Sequence, residues 1–372
     1  MSDVARVIYL EGLEQLVTAL RSRGYRVLGP TVRDGAIVYS ELGSSRELPI
    51  GWTDVQEPGS YRLERREDDA RFGYAVGPHS WKRTLLPPSL RLFKTGHDLE
   101  GEAEPVEETP TALFGARPCE LAAIAIQDRV FLGGRYADRD YTSRRSNLFI
   151  VAANCGDPAS TCFCTSMKTG PRAGAGYDLA LTELLVGTHR FLIEAGSAAG
   201  AEVLEELTSS EAEDADFAAA RAVVGRAAAA MRDGIEPADA RVSLLASYEH
   251  PHWQEVADRC LTCGNCTLAC PTCFCTSVED VTDLDGGAER VRVWDSCFSI
   301  GYSEMHGGAT RRSSAARYRQ WLTHKLATWQ DQFGTGGCVG CGRCITWCPV
   351  GIDLREEVRV FAATKEEVSA NA

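Results

Sequence analysis

Fifteen of the 372 residues are cysteine, and eight of them fall into two runs of one form. Cys260, Cys263, Cys266 and Cys270 precede Pro271 in RCLTCGNCTLACP, and Cys338, Cys341, Cys344 and Cys348 precede Pro349 in GCVGCGRCITWCP. The form is C-x2-C-x2-C-x3-C-P, which holds [4Fe–4S] clusters. Three closely spaced thiolates on a tight loop reach three irons of a cubane. Gly264, and Gly340 or Gly342, let the backbone bring N–H donors to the sulfides. The fourth cysteine sits on the helical segment that follows and points away from its own loop, so in two-cluster proteins it serves the other cluster. One cluster is therefore expected on Cys260, Cys263, Cys266 and Cys348, and a second on Cys338, Cys341, Cys344 and Cys270. Zinc held by two C-x2-C pairs is the competing reading. Two complete runs, each closed by proline, weigh against it. The 67 residues between Cys270 and Cys338 form a long insertion for so simple a unit.

Seven cysteines remain. Cys119 lies at a turn before a helical pattern, Cys155 ends an apolar run, and Cys162 and Cys164 lie in STCFCTS. Four thiols at turns and element ends suffice for a third [4Fe–4S] cluster, whose negative charge helix N-termini and turn amides help to carry. The alternative is buried free thiols packed as small hydrophobes. Cys273 and Cys275 lie in PTCFCTS, which copies the earlier CFCTS, and Cys297 lies in WDSCF. With His306 these three could make a further site. Packing beneath the main clusters is the favoured reading, and they are not counted as ligands.

The elements that must position these thiols follow from pattern. Leu10, Leu13, Leu16, Val17 and Leu20 recur at helical spacing over residues 9–23, with Gly24 as a stop. Short strand-like runs at Tyr25–Leu28 and Ala36–Tyr39 flank a turn at Arg33–Asp34–Gly35. Residues 98–110 read as an acidic loop. Thr111–Gly115, the turn Arg117–Pro118–Cys119 and the helical Glu120–Phe131 form a strand-turn-helix, with Pro118 near the helix start where it is tolerated. Asn147–Ala153 reads as a buried strand, and 189–194 as another. Residues 196–240 are Ala- and Glu-rich and read as exposed linking helices without chemistry. Residues 315–332 form an amphipathic helix with Tyr318, Trp321, Leu322, Lys325, Leu326 and Trp329 on one side, a structural stripe. The fold class is α+β. A mixed α/β domain is expected over 1–195, a helical linker over 196–243, and an α-helical dicluster ferredoxin-type domain over 244–372.

Composition narrows the function. A net charge of −13 lacks the basic stripe of a nucleic-acid binder. No signal peptide is evident, and no run approaches the roughly 20 apolar residues of a membrane span. A cytoplasmic protein is expected, where a reducing pool disfavours disulfides and cysteine richness points to metal. There is no G-x4-G-K-[ST] loop, no H-E-x-x-H and no G-x-S-x-G. RAGAGYD at 172–178 lacks the third glycine and preceding strand of a dinucleotide fingerprint. His79, His97, His189, His250, His252 and His324 are scattered. With several one-electron relays and no substrate site, the chain should pass electrons between other subunits.

The stretch from RCLTCGNCTLACPTCFCTSVEDVTDLDG through WDSCF to RYRQWLTHKLATWQDQFGTGGCVGCGRCITWCPVGIDL resembles the iron–sulfur beta subunit of cytoplasmic NADP-linked [NiFe] hydrogenases, the sulfhydrogenases. GARPCELAAIAIQDRVF and NCGDPASTCFCTSMKTGPRAGAGYDLALTEL fit the same pattern. The resemblance covers residues 111–360 and, more weakly, the first 90. It implies hydrogenase small and large subunits as partners, together with a flavin subunit that handles NAD(P)H. Flavin and NAD(P) would then reside on that partner. The chain itself would be a non-catalytic relay. It is also similar to the electron-transfer subunit of the anaerobic sulfite reductase, where the acceptor would be a sirohaem subunit.

Overall fold

The computed structural model describes residues 4–96, 101–231, 233–284 and 286–370, with side chains to 363; His97 lies outside the described residues. The first strand, β1 (Ala5–Ile8), leads into a helix over Leu10–Ser22 whose Leu13, Leu16, Val17 and Leu20 are buried, as their spacing requires. β2 (Arg26–Arg33) and β3 (Ala36–Glu41) form a hairpin closed by Asp34 and Gly35, with φ of 50° and 72°. Two left-handed residues make the short turn whose twist matches the strands. β4 (Trp52–Glu57) pairs with β5 (Ser60–Arg65), and β6 (Ser89–Thr95) with β7 (Gly101–Ala103). β8 (Thr111–Ala116), β9 (Leu148–Ala153), β10 (Leu179–Leu184), β11 (Arg190–Ala195) and β12 (Ser210–Glu211) complete an eight-stranded sheet in the order β12-β1-β11-β10-β9-β8-β2-β3.

The centre of that sheet, β2-β8-β9-β10, is parallel and its flanks are antiparallel. Parallel strands are covered on both faces and read as continuous apolar runs. TALFGA and LFIVAA are such runs. Phe114 and Val151 pack with Leu13, Leu16 and Leu20 on one face. Leu113 and Ile150 pack with Leu121, Ile124 and Tyr141 on the other. The Ala- and Glu-rich stretch is helical over Ala198–Glu205, Asp214–Ala230 and Pro237–Ala246. Its middle helix does not stand free as the composition suggested: Phe217, Ala220 and Val223 cover Val7, Leu184 and Leu192.

A second core gathers Trp253, Phe298, Tyr318, Trp321, Leu322 and Phe361 around the cysteine runs. The insertion between the runs carries a hairpin, β13 (Thr276–Thr282) and β14 (Ala288–Trp294). β14 also pairs with β6, giving a four-stranded sheet β13-β14-β6-β7 built from both halves of the chain. The helix expected over 315–332 runs as Ser314–Thr323, a π-helical turn His324–Thr328 and Trp329–Phe333. Among the described residues no helix is long and apolar enough to cross a membrane.

Candidate iron–sulfur centres

The two cysteine runs fold alike. Thr262 and Gly340, each two residues after the first cysteine, have φ of 51° and 65°. Their N–H groups turn back to Cys260 Sγ and Cys338 Sγ, both at 3.4 Å. Gly264 and Gly342 (φ 77° and 75°) then start the short helices Asn265–Leu268 and Arg343–Thr346, which carry Cys266 and Cys344. The left-handed residues curl the backbone around a hollow and aim N–H groups into it, an arrangement that suits anionic sulfur. Behind the second loop the space is already taken. A Cβ on Gly340 would stand 2.7 Å from the backbone of Cys164, and one on Gly342 would stand 2.6 Å from Thr161 O. Gly340→Ala should therefore lower the stability of the iron-loaded chain by about 1–3 kcal/mol from backbone strain alone. The urea midpoint measures it, and an unchanged midpoint would contradict the close approach.

Cys260, Cys263, Cys266, Cys344 and Cys348 line one hollow, walled by Phe298, Tyr318, Trp321 and Ile352. Ile352 N–H donates to Cys348 Sγ at 3.3 Å. Cys263 is exposed, so this hollow reaches the surface. Cys270, Cys338, Cys341 and Cys344 form a second group, buried close enough to raise one another's thiols. Burial pushes Cys338 up to about 12 and Cys344 well up; Arg343 opposes the rise at Cys341. Cys270 runs the other way, pulled down by the Cys273 hydrogen bond and by Lys325.

Cys119, Cys155, Cys162 and Cys164 come together from separate elements. Cys119 opens the Pro118–Phe131 helix just past the carboxyl end of β8, and Cys155 lies two residues past the end of adjacent β9. The crevice beyond parallel strand ends is where α/β sheets bind ligands. The loop bearing Cys162 and Cys164 closes over it, and all four line one hollow with Cys341 and Gly340. Burial pushes Cys119 and Cys162 well up and Cys164 up to about 12. Arg117 backs the site, its guanidinium bound to the carbonyls of Asn154, Phe72 and Tyr74 at 3.2, 2.8 and 2.5 Å.

The last three cysteines do not converge. Cys273 turns to Cys270, whereas Cys275 meets Cys297 and Tyr302, whose hydrogen bonds pull its thiol down to about 6. His306 is exposed on a turn between Met305 and Gly308. Among the described residues no three Cys, His, Asp or Glu side chains close on a space fit for one ion. The thiols instead line shared hollows in groups, and four soft thiolates are the donor set that a [4Fe–4S] cluster takes. Iron must displace the protons that burial holds on Cys119, Cys162, Cys338 and Cys344.

Two charged residues were not singled out by spacing. Arg343, inside the second run, is fully buried and bonds Glu120 Oε1 at 2.6 Å, Gly77 O at 2.9 Å and His79 O at 3.1 Å. Its Nη1 is buried with no geometric hydrogen bond, and its charge lies beside Cys341. Lys325 is also buried, with its ammonium 3.1 Å from Cys270 Sγ. Its place on the apolar side of an amphipathic helix was the available signal.

The 4Fe-4S dicluster domain family matches residues 259–352, which contain both runs. Sulfhydrogenase 2 subunit beta of Pyrococcus furiosus is 32% identical over 332 residues, covering 86% of this chain and 94% of that one. No solved structure matches the chain significantly. A likeness of that length must take in the N-terminal sheet as well as the cysteine-dense end, so the whole chain belongs to the sulfhydrogenase beta-subunit family of iron–sulfur electron-transfer proteins.

Proposed function

We propose that the chain is a non-catalytic relay that passes electrons between a [NiFe] hydrogenase module, made of large and small subunits, and a flavin subunit that handles NAD(P)H. Cys260, Cys263, Cys266 and Cys348 hold one [4Fe–4S] cluster in this reading, Cys338, Cys341, Cys344 and Cys270 a second, and Cys119, Cys155, Cys162 and Cys164 a third. Each bound cluster supplies reversible one-electron chemistry. The chain's own residues supply placement, a dry surround and hydrogen bonds to sulfur. The observation that carries the reading is contiguity. Cys344 lines the first hollow and Cys341 the third, so the loop over 338–344 touches both neighbours. The order is then surface-reaching site, central site, N-terminal site. The cytoplasm suits it, because a reducing pool keeps the thiols available.

Anaerobically purified chain should contain about twelve irons, four for each cubane. Zinc in place of iron would end the proposal. Cys263→Ser should remove about four of those irons and stop hydrogen-dependent NAD(P) reduction, while hydrogen-dependent dye reduction at the catalytic subunit survives. Reduction of NAD(P) at the normal rate in that variant would refute the relay. Affinity capture of the native complex should bring a [NiFe] large subunit. A sirohaem subunit in its place would assign the chain to an anaerobic sulfite reductase.

A further inference from the structure

The charge that the relay does not yet explain is Lys325. It lies within the π-helical turn His324–Thr328, a kind of irregularity that frequently marks functional sites. Its side chain is 2% exposed. The ammonium contacts Cys270 Sγ at 3.1 Å, Gly337 O at 3.1 Å and Thr272 Oγ1 at 3.3 Å. Three acceptors match the three donors of a protonated amine. Gly337 precedes Cys338 and Thr272 follows Cys270 by two, so the ammonium ties together the two segments that bring thiolates to the central site. Thr272 Oγ1 itself donates to Gly337 O at 2.6 Å, which closes the triangle.

No carboxylate is among those contacts. A buried ammonium needs a negative partner. Of its three contacts only the Cys270 sulfur can carry a negative charge. Among the described residues no side-chain cation donates to a sulfur at the other two sites. Arg117 at the third spends its hydrogen bonds on carbonyl oxygens. Arg317, which faces Cys260 at the first, donates to Arg312 O. Lys82, the other buried lysine near Cys270, donates to Thr267 O and Leu268 O and lies 4.0 Å from the Trp294 ring centre.

We propose that Lys325 is a positioning residue that raises the reduction potential of the central site, so that an electron in transit rests there. This rests on the three-site relay reading. Adding an electron adds negative charge, and a fixed cation at hydrogen-bond distance in a buried setting favours that form. Net charge and hydrogen bonds to sulfur are the means by which proteins set cluster potentials.

The test is a potentiometric titration of the full, cluster-loaded chain, followed by electron paramagnetic resonance. The central signal is assigned as the one that Cys344→Ser removes. Two neutral variants, Lys325→Met and Lys325→Gln, should shift that signal toward the oxidised form by at least tenfold in equilibrium, or 59 mV for one electron. The other two signals should hold, and Lys325→Arg should keep the central one within tenfold of wild type. Unchanged potentials at full iron content overturn the proposal. Loss of the central cluster from both neutral variants also overturns it, by making the lysine a requirement for assembly. Either result leaves the relay reading standing, whereas a wild-type chain with fewer than three signals sinks that reading, and the lysine is then judged by whether the signal that Cys344→Ser removes still shifts.

Discussion

Cys341→Ser should break the relay at its middle. About four irons should be lost per chain, because serine oxygen is a poor substitute for a soft thiolate at iron. Hydrogen-driven NAD(P) reduction should fall by about 100-fold or more, beyond the 10–100-fold that changes around a ligand usually cost. The effect should also spread. Cys341 lines the hollow of Cys119, Cys155, Cys162 and Cys164, and Cys162 Sγ lies 3.9 Å from Cys341 O. Serine here should therefore alter the spectroscopic signal of the N-terminal site while sparing that of Cys260, Cys263, Cys266 and Cys348. Cys263→Ser, at the exposed end, should leave the N-terminal signal alone. If Cys341→Ser kept a normal rate of transfer with its iron reduced, electrons would be taking a path that bypasses the centre.

How far the sequence could be read depended on the range of the interactions. Cysteine spacing is local, so the two loops and their proline stops were legible, as were the helix over Leu10–Ser22 and the buried strands before Cys119 and Cys155. That Cys119 and Cys155 end adjacent parallel strands is a matter of sheet order, which no local pattern contains. The hairpin Thr276–Trp294 has a local signal in Val291 and Val293 and in the Gly286–Gly287 pair. Its pairing with Ser89–Thr95 joins residues nearly two hundred positions apart. Lys325 was read as part of an apolar stripe because periodicity reports which face is buried and not what a buried charge touches. Arg343 stood in plain view between Cys341 and Cys344, but its partner Glu120 is 223 positions away.

That distance makes Arg343 the polypeptide's own clasp between its two halves, and predicts a large loss when it is cut. The Arg343–Glu120 pair is 0% and 1% exposed. Tyr39 Oη donates to both carboxylate oxygens at 2.9 and 2.8 Å, and Arg117 N–H donates to Oε2 at 3.1 Å. Removing one partner of such a pair leaves an uncompensated buried charge and costs about 3–5 kcal/mol. Arg343→Met strands Glu120, and Glu120→Gln strands Arg343 beside Cys341. Each should lower the denaturant midpoint of the loaded chain steeply. The double variant should cost much less than the sum, because neither charge is then orphaned. Tyr39→Phe, which removes a single donor from a carboxylate that keeps its arginine, should cost only about 1.5–3 kcal/mol. Additive single and double losses would mean that the pair does not act as a unit. The clasp would then give way to the β6–β14 ladder as the feature that seats the N-terminal thiols against the 338–344 loop.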